Sequence, residues 1–166
     1  MTNLHIGNRL YRSYHYQDEK ARHTACLEDY AFLIAALMDL FEATSDIMWL
    51  KHALALDDEL KTRYEDPENG GFFAAPADHV LIAREKPWQD GAMPSGNAVC
   101  ALNLLRLSTF TTDDTYRKRA EKLLLLFSDR LSAHPTALSE MLLALDFYLD
   151  TPKEIALVLP DEGFTA

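Results

Sequence analysis

The chain has 166 residues, of which 48% are hydrophobic, which is enough for one ordinary domain with a sizeable core. Its 16 Lys and Arg against 26 Asp and Glu give a formal net charge of −10, which repels the phosphates of nucleic acids and of anionic membranes. No apolar run reaches the roughly 20 residues that cross a bilayer, and the start of the chain lacks the pattern of a signal peptide. We therefore expect neither a nucleic-acid nor a membrane partner.

Residues 1–26 predict an N-terminal extended arm, with a short extended piece at residues 10–14. Residues 27–43 are apolar on nearly every side, which predicts a helix covered by neighbours all round. Residues 46–64 carry one apolar stripe, with Lys51, Asp57, Asp58 and Lys61 left for water. Together, residues 27–64 predict a first helical hairpin with a buried inner helix and an amphipathic outer helix.

Residues 65–94 predict a connection that contains a short β-hairpin. Gly70 and Gly71 precede two phenylalanines, Pro76 and Asp78 are typical of a turn, and residues 80–83 form an apolar run.

Residues 95–132 predict a second hairpin that repeats the first. Residues 95–110 are apolar almost all round, and residues 113–131 carry a single stripe. Thr44, Ser45 and Asp46 match Thr111, Thr112 and Asp113 at an offset of 67 residues, and Asp46 and Asp113 are expected N-caps of the outer helices. Residues 135–149 predict an inner helix without an outer partner, and residues 150–166 a tail with a candidate strand at 155–159.

Alternating buried and amphipathic helices are typical of helical-hairpin toroids and solenoids, in which each inner helix is buried only by its neighbours. The inner helices at the two ends would then expose apolar flanks. Such flanks favour self-association or coverage by the missing part of a larger domain.

The two cysteines, Cys26 and Cys100, lack metal or redox spacing and are expected as small core residues in a reducing, cytoplasmic setting. Six histidines lie far apart without the i, i+4 spacing of a helical metal site, so no metal is expected. The glycine-containing segments lack the lysine and the strand-to-helix setting of a phosphate-binding loop. We expect no cofactor.

Four segments together resemble the C-terminal half of the spermatogenesis-associated, thioredoxin-domain-containing proteins: residues 7–14 (GNRLYRSY), 27–33 (LEDYAFL), 70–73 (GGFF) and 90–97 (DGAMPSGN). Residues 135–147 are similar as well. The resemblance implies an α/α toroid related to six-hairpin glycosidases and N-acylglucosamine 2-epimerases. The expected fold is therefore all-α, a partial α/α toroid of about two and a half hairpins, or about five helices, in a single domain with a β-hairpin insertion. Redox function is not expected, because the thioredoxin-like part is not represented here.

The resemblance places a cleft where the inner helices begin. Glu28, Asp29, Asp90 and Glu140 are the candidate catalytic carboxylates there, because glycoside chemistry uses two of them as acid and base. The candidate substrate-binding residues are those able to stack on a sugar or to hydrogen-bond it, namely Tyr30, Trp88, Ser95 and Asn97.

Structural roles can account for the presence of the same residues without a bound substrate. Glu28 and Asp29 fall in the first turn of a helix, where negative charge is stabilising. Asp90 and Ser95 fit a turn and an N-cap, Asn97 fits a bond to loop carbonyls, and Glu140 could pair with Arg84 or Lys86.

Two functions follow. The favoured one is a helical binding or assembly module, as a homo-oligomer or with the missing part of its parent domain. The alternative is a carbohydrate-active enzyme, of glycoside hydrolase or sugar 2-epimerase type, acting on a saccharide through the rim carboxylates.

Overall fold

The computed structural model describes residues 3–79 and 83–150, which form six α-helices and one two-stranded sheet. The strands β1 (Tyr11–His15) and β2 (Lys20–Thr24) pair antiparallel, with Tyr11 opposite Thr24 and His15 opposite Lys20. The helices are α1 (Leu27–Thr44), α2 (Ile47–Tyr64), α3 (Gly96–Thr111), α4 (Asp114–Leu126), α5 (Ser128–Ala133) and α6 (Ser139–Leu149). The chain is thus mostly helical, as predicted, but not purely α-helical.

The helices form two layers. In the inner layer α3 packs between α1 and α6, while α2 packs on α1 and α4 packs on α3. The core between them is aliphatic with a few aromatic rings, and its largest fully buried side chains include Tyr30, Tyr64 and Phe72. The two predicted helical hairpins are therefore present, with α6 beside them.

The turns of the two hairpins share a backbone conformation and three equivalent hydrogen bonds. Ser45 and Thr112 both adopt the left-handed conformation, with φ of 56° and 55°. Thr44 Oγ1 donates to the Leu40 carbonyl and Thr111 Oγ1 to the Leu107 carbonyl, both at 2.7 Å. The Asp46 and Asp113 carboxylates then accept the N–H groups of Met48 and Thr115 at 2.9 and 2.8 Å, so both are N-caps as predicted.

The two-stranded sheet lies before α1, within the segment predicted as an extended arm. Residues 65–79 and 83–94 contain turns and a single bridge between Glu65 and Phe72, but no strand, and residues 80–82 lie outside the described residues. Gly70 and Gly71 have φ of 76° and 74°, which interrupts extended backbone. The apolar run predicted as the second strand, 80–83, lies outside the described residues except for Ala83, so the β-hairpin in this connection stays a prediction.

Two predicted helices are interrupted. The second outer helix breaks at Phe127, where the Ser128 hydroxyl donates to the Leu125 carbonyl at 2.8 Å, a back-bond that bends helices. The last inner helix starts as a 3-10 turn at Pro135–Ala137 and resumes only at Ser139. The candidate strand at 155–159 lies outside the described residues.

Candidate functional site

The inner helices α1, α3 and α6 begin at the same end of the molecule, which we call the rim. A Cβ atom on Gly96 would lie 2.7 Å from Leu27 Cγ and 3.4 Å from Glu28 Oε1, so the starts of α1 and α3 are in close contact. Asp90 bonds to the start of α6. The four candidate carboxylates, Glu28, Asp29, Asp90 and Glu140, therefore lie at one end, although backbone groups already use two of them.

Asp90 joins the start of α3 to the start of α6. Its Oδ1 accepts the Ser95 N–H at 2.8 Å and its Oδ2 accepts the Glu140 N–H at 2.9 Å. Its own N–H donates to the Ala137 carbonyl at 2.8 Å. In a continuous helix, the Ala137 carbonyl and the Glu140 N–H would bond to other backbone groups of that helix. Here both bond to Asp90, which explains the break before α6.

Asp29 closes the start of α1. Its Oδ2 accepts the Cys26 N–H at 2.8 Å and the thiol at 3.1 Å, and it pairs with Arg12 Nε at 3.0 Å. Burial, together with the hydrogen bond to Asp29, raises the pKa of the Cys26 thiol to about 12. Cys26 is therefore a protonated capping residue at neutral pH and not a nucleophile.

Glu28 and Glu140 are the rim carboxylates that accept no backbone N–H within residues 3–79 and 83–150. Burial raises the pKa of the Glu140 carboxyl, and the negative charge of Asp90 raises it further. A raised pKa is the property that a general acid requires. Glu140 pairs with neither of its predicted partners: Arg84 donates to the Ala75 carbonyl, and Lys86 bonds to Asp66 and to the Gly70 carbonyl.

Tyr30, predicted to stack on a sugar, is fully buried. Its hydroxyl donates to Glu59 Oε2 at 3.0 Å and accepts the Leu10 N–H at 3.1 Å, while its ring lies 5.4 Å from that of Tyr64. Burial raises the pKa of the Tyr30 hydroxyl to about 12. No surface of the ring is open to a ligand.

Asn97 and Ser95 also have structural partners. Asn97 is fully buried; its Oδ1 accepts the Phe72 N–H at 2.8 Å, and its Nδ2 donates to the carbonyls of Phe72 and Pro87 at 2.9 and 2.8 Å. Ser95 is the N-cap of α3, accepting the Ala98 N–H at 3.2 Å. Both amide hydrogens of Asn97 are therefore used by loop carbonyls, and the Ser95 oxygen is used as a helix cap.

Trp88 is half-buried, with the Arg130 guanidinium 4.5 Å from its ring. It lines a groove with Glu85, Lys86, Pro87, Gln89 and Arg130. None of the four candidate carboxylates lines this groove, so the aromatic platform and the acids do not share a pocket.

Sequence reasoning missed a buried ion cluster between α2 and α4. Arg119 donates to Asp57 at 2.6 and 3.2 Å and to Glu65 at 2.9 and 3.1 Å. Asp57 was expected to face water but is 2% exposed. The signal was available, because Asp57 lies four residues after Ala53 and three before Leu60, on the apolar stripe itself.

Comparison with known proteins identifies relatives but not a domain family, since no family model matches the chain. Spermatogenesis-associated protein 20 of mouse and of human is 42% identical over 133 residues, which is 79% of this chain and 17% of each relative. The chain is homologous to a segment of spermatogenesis-associated protein 20. An uncharacterized protein of Caenorhabditis elegans, B0495.5, is 35% identical over 118 residues, 71% of this chain and 16% of that protein.

The similarity to spermatogenesis-associated protein 20 supports the family suggested by the four sequence motifs. It reaches only 17% of the relatives' length, so what those whole proteins do is not transferred to this segment. Within the described residues, no helix combines the length and the apolar character needed to span a membrane.

Proposed function

We propose that this segment is a helical binding and assembly module of an α/α toroid, and not a catalytic unit in itself. The use of rim side chains as structural ties supports the proposal. Asp29 and Asp90 are occupied by backbone N–H groups, and Asn97 holds the backbone of two loops. A catalytic pair needs carboxylates that are free to exchange protons with a ligand.

The observation that carries the proposal is the apolar outer edge of α6. Leu142, Leu145 and Leu149 follow one another at i, i+3 and i+7, and Leu142 and Leu149 are 38% and 73% exposed. Leu125 of α4 is 66% exposed. Burying a fully exposed leucine contributes about 1.5–3 kcal/mol, so covering the exposed part of these side chains would contribute a corresponding fraction for each, which favours a partner on this edge.

The other end of the inner layer has an apolar edge as well. Leu40 of α1 is 41% exposed, and Ile47 and Met48 at the start of α2 are 52% and 46% exposed. Because α3 is covered by one inner helix on each side, a further inner helix beside α1 or α6 would continue the same packing. The partner is a second copy of the chain or the rest of the parent toroid, and the two free cysteines fit a cytoplasmic setting.

Sedimentation velocity across micromolar concentrations tests the assembly. We expect concentration-dependent association, or binding to the remaining part of a full-length relative, and a loss of at least roughly tenfold in affinity for the Leu142→Glu/Leu149→Glu variant, because each charge would be buried unpaired. Met93→Glu is the control, since Met93 is 63% exposed on the loop before α3. A chain that stays monomeric and does not bind the remaining part of a full-length relative would contradict the proposal.

The second candidate is a carbohydrate-active enzyme of glycoside hydrolase or sugar 2-epimerase type. One observation favours it: Glu140 has a raised pKa beside Asp90, and Glu28 lies at the same rim. Thermal-shift measurements with mono- and disaccharides separate the two candidates. If the chain is such an enzyme, we expect a saccharide to raise its melting temperature, and this rise to be lost in both Glu140→Gln and Asp90→Asn. If it is an assembly module, we expect no such rise.

A further inference from the structure

The far end of the inner layer, away from the rim, carries a groove of about 570 Å³ to which three helices contribute. Its floor is a stripe of α3 formed by Leu102, Arg106 and Thr109, at i, i+4 and i+7. One wall is acidic, with Asp39 and Glu42 of α1. Phe147 of α6 supplies an apolar side, and Phe110 of α3, whose ring lies 5.2 Å from that of Phe41 of α1, adds apolar surface at the end of the groove.

Arg106 is the central polar group of this groove. Its side chain is only 15% exposed, and Nη2 alone donates to Asp39 Oδ1 at 2.7 Å and to Glu42 Oε1 at 2.9 Å. Its Nε and Nη1 donate to no acceptor within the described residues. A guanidinium carries five N–H groups, so three remain for a ligand after the tie to α1 is made.

The position of the two carboxylates is not explained by helix stability. Glu42 lies in the last turn of α1 and Asp39 one turn earlier, near the end where the helix dipole disfavours negative charge. The last turn of α1 holds no basic residue, so Arg106 of α3 supplies the balancing charge. One positive and two negative groups leave this wall with a net negative charge.

We propose that the groove binds a zwitterionic α-amino acid with an apolar side chain. The ammonium group faces Asp39 and Glu42, the carboxylate accepts from Nε and Nη1 of Arg106, and the side chain lies against Phe147. Arg106 would repel a ligand that carries only a positive charge, and the two acids would repel a ligand that carries only a negative charge. A molecule that carries an ammonium and a carboxylate group on the same carbon complements both, and paired N–H···O bonds suit a carboxylate.

This site is separate from the proposed assembly surface. Phe147 and the edge formed by Leu142 and Leu149 lie on different sides of α6, because residues 142 and 149 are about 140° and 160° away from residue 147 around a helix of 3.6 residues per turn. Loss of amino-acid binding would therefore leave assembly unaffected, and the converse also holds.

NMR titration of the ¹⁵N-labelled chain with L-phenylalanine tests the proposal. We expect saturable shifts of the Arg106 Nε–H signal, and binding at least roughly tenfold weaker for phenethylamine and for 3-phenylpropionate, each of which lacks one charge. Equal binding of either analogue, or no saturable shift with phenylalanine, leucine or isoleucine at millimolar concentration, would overturn it.

Variants distinguish the contacts that Arg106 would make to a ligand from its ion pairs that join α3 to α1. Arg106→Gln should lose binding of L-phenylalanine, whereas Arg130→Gln, which removes a guanidinium beside Trp88, should keep it. Asp39→Asn/Glu42→Gln alters two exposed side chains and should preserve the fold if Arg106→Gln does not. We expect this double variant to weaken phenylalanine roughly tenfold without weakening 3-phenylpropionate, and equal weakening of both would overturn the proposed orientation.

Discussion

Asn97 shows how a single side chain can hold two loops against the start of a helix. Its amide replaces a backbone partner for Phe72, bonding both the N–H and the carbonyl, and also reaches the Pro87 carbonyl. The same bonds explain why the segment after Gly71 needs no strand partner. An asparagine that resembled a ligand contact in the sequence is thus part of the interior.

We predict that Asn97→Ala destabilises the chain by about 2–4 kcal/mol, because it leaves buried N–H and carbonyl groups without partners. Urea unfolding followed by circular dichroism measures the change. Gln89→Ala, at an exposed position in the next loop, is the control and should change the free energy of unfolding by less than about 0.5 kcal/mol. If the free energy of unfolding fell no more than in the control, water would have taken over the hydrogen bonds of the Asn97 amide.

Asp66 should make part of the stability depend on pH. Lys86 Nζ, 2.8 Å from its Oδ2, and the amide groups of Asn69 hold the pKa of the Asp66 carboxyl well below its usual range. A carboxyl group whose pKa is lower in the folded chain than in the unfolded chain stabilises the fold when it is ionised. This stabilisation is complete above the pKa in the unfolded chain, about 3.9, and is lost as the pH falls through the pKa in the folded chain.

We therefore expect Asp66→Asn to be less stable than the wild type at pH 7, with a difference that shrinks as the pH falls below about 4. Unfolding curves at a series of pH values measure it. Asp58→Asn, at an exposed position of α2, is the matched Asp-to-Asn control. A constant difference for Asp66→Asn would argue against the ionised pair.

At the scale of single residues, the sequence predicted local roles and missed distant ones. The caps Asp46 and Asp113 were predictable because their partners lie two residues away. The burial of Tyr30 was not, since its hydroxyl is held by Leu10 and Glu59, 20 and 29 residues distant. Spacing along a helix does not identify a partner on another element.

The contact between α1 and α3 at the rim depends on Gly96. Its Cα approaches Leu27 so closely that an added Cβ would meet the Leu27 side chain at 2.7 Å. Between helices packed this tightly, a methyl group forces side chains or backbone to move.

We expect Gly96→Ala to destabilise by about 1–3 kcal/mol of overpacking, offset in part by up to about 1 kcal/mol of improved helix propensity. Gly91→Ala is the matched control, because an added Cβ there has no neighbour within 4 Å. Thermal unfolding of both variants measures the difference. A Gly96→Ala protein as stable as the control would mean that α1 and α3 separate at little cost.

The caps of the outer helices offer a test of the repeat. Because their geometries match, Asp46→Ala and Asp113→Ala should lower the melting temperature by similar amounts. Asp114→Ala, which changes a first-turn acid that is not the cap, should lower it less. Unequal losses would show that the two turns differ in energy despite their shared hydrogen bonds.

At the scale of elements, helices were predictable and their interruptions were not. A single apolar stripe identified α2 and α4, and apolar character on nearly every side identified α1 and α3. The break before α6 depends on Asp90, whose partner Glu140 lies 50 residues away in the chain. The connection after α2 likewise takes its form from Asn97 and Lys86, and the glycine pair alone did not reveal it.

At the scale of the whole molecule, the Arg119 cluster joins one helical hairpin to the other. Arg119 of α4 reaches Asp57 of α2 and Glu65 just after it. Asp57 is almost fully buried, so its charge depends on this single guanidinium.

We predict that Arg119→Met costs about 3–5 kcal/mol, because it leaves a buried carboxylate without its cation. Asp57→Leu combined with Arg119→Met should recover much of the loss, since the charge is then removed as well. Lys118→Met, at an exposed neighbour, is the control. If the double variant is no more stable than the single one, packing and not charge explains the loss. Urea unfolding of the four proteins measures these differences.

The matched turns at Ser45 and Thr112 bear on how such a protein can change in length. Each turn uses three consecutive residues and contacts that stay within its own hairpin. A hairpin can therefore be duplicated, deleted or exchanged as a cassette without redesigning the reversal of the chain. Evolution or an engineer would then have only the faces between hairpins to adjust.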